Sequence, residues 1–140
     1  YSLIDREIEQ TLVPLCKEHG VAVMGYSSLA LGLLAGPIDP ARVFGGDDQR
    51  AANPRFSAGN RARLSAFFAQ LFPLRAQLGC SFSEMMIAWT LARGAVSMAL
   101  CGARTAAQAR QNAAAGGVSL DATAVAQIES AARKHLAELD

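Results

Sequence analysis

Apolar positions along this chain follow two patterns, one helical and one extended. Ile4, Ile8, Leu12, Leu15 and Cys16 fall three or four residues apart, the spacing of a single helix face. Arg6, Glu7, Glu9 and Lys17 take the opposite face, so the pattern predicts an amphipathic helix ending at Gly20. A kink is expected at Pro14, whose ring removes one helical hydrogen bond. Residues 21–26, VAVMGY, carry no charge and no polar alternation, which predicts a strand buried on both faces. Residues 62–78 place Leu64, Phe67, Phe68, Leu71, Leu74 and Leu78 on one broad helical face, with a kink at Pro73 and a stop at Gly79. Ser81 or Ser83 caps a further helix whose Phe82, Met85, Met86, Trp89 and Ala92 form a core stripe before Gly94. Residues 95–101 make a second apolar strand. In a last helix, capped by Asp121, Val125, Ile128 and Ala132 face inward and Arg133, Lys134 and His135 lie near the C-terminal dipole.

Helix, glycine and apolar strand in succession are half of a parallel α/β unit. Two such strands cannot by themselves form a sheet covered on both faces, so further strands are expected from elsewhere. Between residues 27 and 60 lies a long segment rich in turn formers, of the kind that covers a binding site or forms a mobile insertion. Asn53, Pro54, Arg55 and Phe56 are expected to anchor it. Residues 95–112, AVSMALCGARTAAQARQN, read as a strand running into a helix start. The Thr105 hydroxyl caps that helix, and Gln108, at the spacing of a capping box, is expected to reach back to the Thr105 amide. Free N–H groups and the neighbouring cationic Arg104 favour an anion at this turn, a phosphate above all. A purely structural role for Gly102, Thr105 and Gln108 is the competing reading, since every strand-to-helix corner needs a cap.

Composition narrows the classes. At 140 residues and 51% hydrophobic content the chain is one domain-sized unit able to bury a core. A net charge of +1 gives no long-range attraction to nucleic acid or to an anionic membrane surface. Cys16, Cys80 and Cys101 are odd in number and lack metal-ligand spacing, which points to reduced thiols and a cytoplasmic location. No apolar run reaches spanning length, and no secretory leader pattern opens the chain. The chain begins at Tyr1 and enters an element almost at once, which we read as a fragment. Catalytic constellations are missing: His19 closes a helix, and the adjacent Asp47 and Asp48 are expected to be solvated.

Four segments taken together are more specific. YSLIDREIE, GVAVMGYSSLALGLLAG, NPRFS and CGARTAAQARQN occur in an order and spacing that resemble the C-terminal half of bacterial aldo-keto reductases. The resemblance implies an α/β fold, part of a (β/α)8 TIM barrel, with residues 21–26 as the seventh strand and residues 95–101 as the eighth, and a site for NADP(H). By motif, Tyr26 matches the residue that stacks on the nicotinamide, while Ser27, Leu29 and Gly32 match the loop beside the pyrophosphate. Gly102, Ala103 and Arg104 match the turn at the adenosine phosphate, with Arg104 favouring NADPH over NADH. Gln108, Gln111 and Asn112 match adenosine contacts, although Gln111 stands where the family often has an acidic residue. Ser28 replaces a usual proline, and Pro37 a frequent lysine, whose role Arg42, Arg50 or Arg55 would have to take. The family's catalytic Asp, Tyr, Lys and His match no position here. The implied whole would reduce aldehydes or ketones, a small-molecule carbonyl substrate, once the N-terminal half of the barrel is present. Alternatives are a nucleotide-binding module like the channel β subunits of this family, or an inactive half-barrel that pairs with another.

Overall fold

A computed structural model describes residues 1–139. Two short strands, β1 (Met24–Tyr26) and β2 (Met98–Leu100), pair in parallel, with Met24 opposite Met98, Gly25 opposite Ala99 and Tyr26 opposite Leu100. Between them the chain crosses over through α2 (Ala58–Leu78) and α3 (Phe82–Ala92), as a parallel pair requires. After β2 come α4 (Ala106–Ala114) and α5 (Ala122–His135).

Both strands are shorter than the apolar runs that contain them, and the described residues cover only one of their faces. Gly25 is buried against Val96 and Tyr1, yet Met24, Tyr26, Met98 and Leu100 are between 47% and 70% exposed. Alternation across the pleat sends those side chains to the face that no layer covers among the described residues.

The helical layer follows its apolar periodicity closely. Ser57 caps α2 by accepting from the Asn60 N–H (3.3 Å), and the helix runs through Pro73 to Gly79, whose φ of +64° needs no side chain in the way. Leu64, Phe67, Phe68, Leu71 and Leu74 are buried. Of the two serines proposed for α3, Ser81 is the cap: its hydroxyl accepts from the Glu84 N–H while the Glu84 carboxylate accepts from the Ser81 N–H. Met85, Met86 and Trp89 fill the centre of the core, but Ala92 is exposed because it lies on the outer side of the last turn. Asp121 caps α5, and Ile128 seats that helix on α2.

The N-terminal segment departs from the continuous amphipathic helix. A 3₁₀ turn at Glu7–Glu9 precedes a separate α1 (Leu12–Glu18). Pro14 is the third residue of α1, in the first turn where an N–H has no intrahelical partner, so it needs no kink. Val13 faces the core, whereas Leu12 and Leu15 are exposed. Ile4 and Ile8 reach the core through the turn rather than along a helical stripe.

Polar side chains fasten this segment to the rest. Arg6 donates to both oxygens of Glu9 (3.0 and 2.9 Å) and to Glu129 on α5 (3.3 Å), and Arg93 after α3 reaches Glu129 (3.3 Å) and Glu9 (3.8 Å). The Tyr1 hydroxyl donates to Glu9, its ring stacks on Trp89 at 6.1 Å, and Arg6 lies over the same indole. Burial raises the pKa of the Glu9 carboxyl, but hydrogen bonds from Arg6 and Tyr1 outweigh it and leave the group below its ordinary value. The nitrogen of Tyr1 donates to the Tyr26 carbonyl (2.8 Å), so this network seats the residue that closes β1.

Candidate functional site

In-register pairing brings the C-terminal ends of β1 and β2 to one edge, and with them the two turns that follow. Tyr26 ends β1 with 70% of its surface exposed. Its carbonyl is held by Tyr1, and Gly25 before it packs so closely that a Cβ there would lie 3.0 Å from Val96 Cγ1 and 3.4 Å from Tyr1 Cβ. The ring therefore stands on a fixed backbone beside an open surface.

The turn after Tyr26 is strained. Ser27 (φ +62°), Ala30 (+46°) and Leu31 (+57°) occupy the left-handed region without being glycine, and Gly32 follows at +91°. Such residues cost on the order of 1 kcal/mol each and persist where the surroundings over-determine them. Here the turn is closed by the Ala30 N–H on the Ser27 carbonyl (2.7 Å) and the Gly32 N–H on the Leu29 carbonyl (2.9 Å). Leu33 and Leu34, wholly buried, anchor its far end. Ser28 is buried. Its neighbour across the edge is Cys101, whose thiol burial pushes up and Ser28 partly pulls back.

The second turn is preorganised by its own side chains. Thr105 Oγ1 accepts from the Gln108 N–H (3.2 Å), as predicted. Gln108 Oε1, however, accepts from the Arg104 N–H (2.8 Å) and not from Thr105. Thr105 is extended (φ −133°, ψ 156°), which swings the preceding amide into reach. Asn112 Nδ2 donates to the Gly102 carbonyl (3.1 Å) and ties the turn to the body of α4. Gly102, Ala103, Arg104 and Gln108 are exposed, Gln111 and Asn112 half-exposed, and a Cβ at Gly102 would meet nothing within 4 Å. Among the described residues Arg104 makes no ion pair, so its guanidinium is available to an outside anion.

Side chains of the long segment were only partly foreseen. Asn53 caps the 3₁₀ turn Pro54–Phe56, and Arg55 is held by Asp5 (2.7 Å). Asp48 is not merely solvated: its oxygens grip Arg50 at 2.8 and 2.5 Å, and Arg50 packs over Phe44 at 4.5 Å. Arg42 lies over the same ring, which meets the buried Phe56 edge-on at 5.4 Å. The spacing Asp-x-Arg was a usable signal for the pair, whereas the seating of Phe44 beneath Arg50 on the buried Phe56 depends on a contact more remote in sequence.

A small, glycine-bearing turn, an exposed aromatic ring at a strand end and an unpaired guanidinium beside a capped helix start suit a ligand with an aromatic ring at one end and phosphate at the other. Among the described residues no helix is long and apolar enough to cross a membrane.

Comparison with known proteins gives a consistent result. The profile of the aldo/keto reductase family matches residues 1–133. The NADH-specific methylglyoxal reductase of Escherichia coli is 35% identical over 134 residues, 94% of this chain and 40% of that protein. Aldo-keto reductase YhdN of Bacillus subtilis is 31% identical over 109 residues, 77% of this chain and 33% of that protein. The structure of a glycerol dehydrogenase from Gluconobacter oxydans superposes with a TM-score of 0.85 at 28% identity, covering 96% of this chain and 41% of the other. The chain thus spans less than half the length of each of these relatives.

Proposed function

The chain belongs to the aldo/keto reductase family, and on that premise we propose that residues 1–140 form the cofactor-binding C-terminal segment of a cytoplasmic NADPH-dependent carbonyl reductase. The observation that carries the proposal is the parallel register of β1 and β2, which puts the Tyr26–Gly32 and Gly102–Arg104 turns at one edge. In a (β/α)8 barrel that edge is the C-terminal face, where the loops after the seventh and eighth strands hold phosphate. β1 and β2 would take those two places, and their exposed face, Met24, Met98 and Leu100, is the one left for the rest of such a barrel to cover. The residues fit the cofactor: an open ring, a turn with room beyond Gly102 and a guanidinium with no ion pair among the described residues.

When bound, the nicotinamide supplies the hydride that reduces an aldehyde or ketone. Tyr26 offers its ring face to the nicotinamide. Ser27, Leu29 and Gly32 line the pyrophosphate, with backbone rather than charge against it. Gly102 and Ala103 admit the adenosine phosphate, and Arg104 bonds the 2′-phosphate through charge-assisted contacts. Gln108, Gln111 and Asn112 border the adenosine; Gln108 and Asn112 are already oriented by the turn they brace. Of the arginines that replace the absent loop lysine, Arg55 and Arg50 are committed to carboxylates, which leaves Arg42. The groups that move protons lie in the N-terminal half. Substrates are small carbonyl compounds, in keeping with the methylglyoxal in the name of one relative, while the glycerol in the name of another is an alcohol of the kind such a reduction forms. Neither nucleic acid nor membrane takes part.

The test is a fluorescence titration of the protein carrying this chain with NADPH and with NADH. Arg104→Ala should weaken NADPH by roughly tenfold to a hundredfold, the worth of about 1.5–3 kcal/mol for bonds between charged groups. NADH should change by less than about twofold. Equal losses for both cofactors overturn the 2′-phosphate assignment.

A further inference from the structure

Helices α2 and α5 pack on each other and enclose a groove of about 510 Å³ between them, on elements that supply neither of the two turns. That volume is in the range of small-molecule sites, roughly 300–1,000 Å³. Ala62, Ala66 and Gln70 recur every fourth residue and share one face of α2. The two alanines line the groove and leave it open, and Gln70 Oε1 lies 2.9 Å from His135 Nε2, which fastens the end of α5 to α2. Arg63, Arg133 and Lys134 line the same groove.

Basic residues in a last helical turn ordinarily complement the dipole, and Arg133 and Lys134 do so here. The cations exceed that need. The dipole end amounts to roughly half a negative charge, whereas Arg133 and Lys134 are two full cations and Arg63 brings a third from the other helix. Glu138 is the one carboxylate among the described lining residues; it pairs with Arg63 at 2.8 Å, and its side chain is 76% exposed. Arg133 and Lys134 make no ion pair among the described residues. The whole chain carries a net charge of only +1, so the positive surplus in the groove is local.

We propose that the α2–α5 groove binds a small phosphate monoester. A monoester with a second pKa of about 6 is largely a dianion at neutral pH, and its three terminal oxygens can each face one of three cations. A carboxylate, with one charge and two oxygens, leaves a cation unmatched. Arg63 and Arg133 offer paired N–H donors and Lys134 a point charge, while the alanines admit a compact apolar ester group. Glu138 is the internal competitor, exposed and weakly held, which the phosphate displaces from Arg63.

The test is calorimetric titration of the protein carrying this chain with phenyl phosphate, inorganic phosphate and benzoate, in an Arg104→Gln background that removes the guanidinium of the other turn. Phenyl phosphate should bind one saturable site, more tightly than either of the others. Arg133→Gln should weaken it by about threefold to fivefold, and Glu138→Gln should tighten it by about twofold, both effects shrinking at high salt. Both side chains are exposed, and a general loosening of the fold would not produce shifts of opposite sign. Absence of phenyl phosphate binding, binding that neither substitution moves, or benzoate binding as tightly as phenyl phosphate overturns the proposal. Binding of poly-glutamate but not of phenyl phosphate also overturns it, in favour of an extended acidic partner.

Discussion

Glu9→Gln tests how firmly the network behind the site holds the N-terminal segment. Glu9 receives two hydrogen bonds from Arg6 and one from Tyr1, and lies 3.8 Å from Arg93. The Glu9 side chain is 22% exposed and that of Arg6 33%, so solvent screens the pair to an intermediate degree. Fully buried, two charge-assisted bonds would be worth about 3–6 kcal/mol, while an exposed pair contributes less than about 1 kcal/mol. An intermediate loss of about 2 kcal/mol is expected, because Glu129 still compensates both arginines. In a domain of this size that is a fall in melting temperature of roughly 6 °C. The assay is thermal and urea unfolding of wild type and variant across pH. The pKa of Glu9 is lowered in the folded state, so its stabilisation is present above the unfolded value of about 4.3 and lost as pH falls through the folded value. The two proteins should differ at pH 7 and converge in acid. Equal stability at pH 7, or a gap that persists when carboxylates are protonated, refutes the reasoning.

Three further outcomes follow from the geometry. Gly25→Ala should destabilise by about 1–3 kcal/mol through overpacking against Val96 and Tyr1, read as a shift in the urea midpoint. Phe44→Ala removes the ring between Arg42 and Arg50; limited proteolysis should then cut between residues 37 and 53 several times faster, and an unchanged rate would mean the ring does not anchor the segment. Tyr26→Ala should weaken NADPH and NADH alike, because the nicotinamide is common to both, and an effect on only one would remove the stacking role.

Local chemistry made much of this legible in advance. Caps at Ser81, Thr105 and Asp121, the glycine stop at Gly79 and the apolar faces of α2, α3 and α5 are decided by side chains within a turn of each other. The strand-to-helix corner at residues 95–112 belongs to the same class. What eluded the pattern depends on partners remote in sequence. Leu12 and Leu15 have helical spacing, yet the segment before them is taken by the turn that Arg6 and Glu9 build with Glu129 and Arg93. Periodicity cannot distinguish a stripe that meets the core from one that faces away. The grip of Asp48 on Arg50 and the packing of Phe44 on Phe56 likewise give the long segment a shape no composition predicts. In the second turn the Thr105 cap was readable by motif, whereas the shift of Gln108 from the Thr105 amide to that of Arg104 depended on the extended backbone of Thr105.

The most direct measurement is a crystal structure of the protein carrying this chain with NADP+ bound. The account predicts the nicotinamide against the Tyr26 ring, the pyrophosphate along Ser27, Leu29 and Gly32, and the 2′-phosphate within hydrogen-bonding distance of the Arg104 guanidinium, about 2.7–3.0 Å. A cofactor bound away from the edge shared by the two turns, or one whose 2′-phosphate points away from Arg104 into solvent, would contradict it.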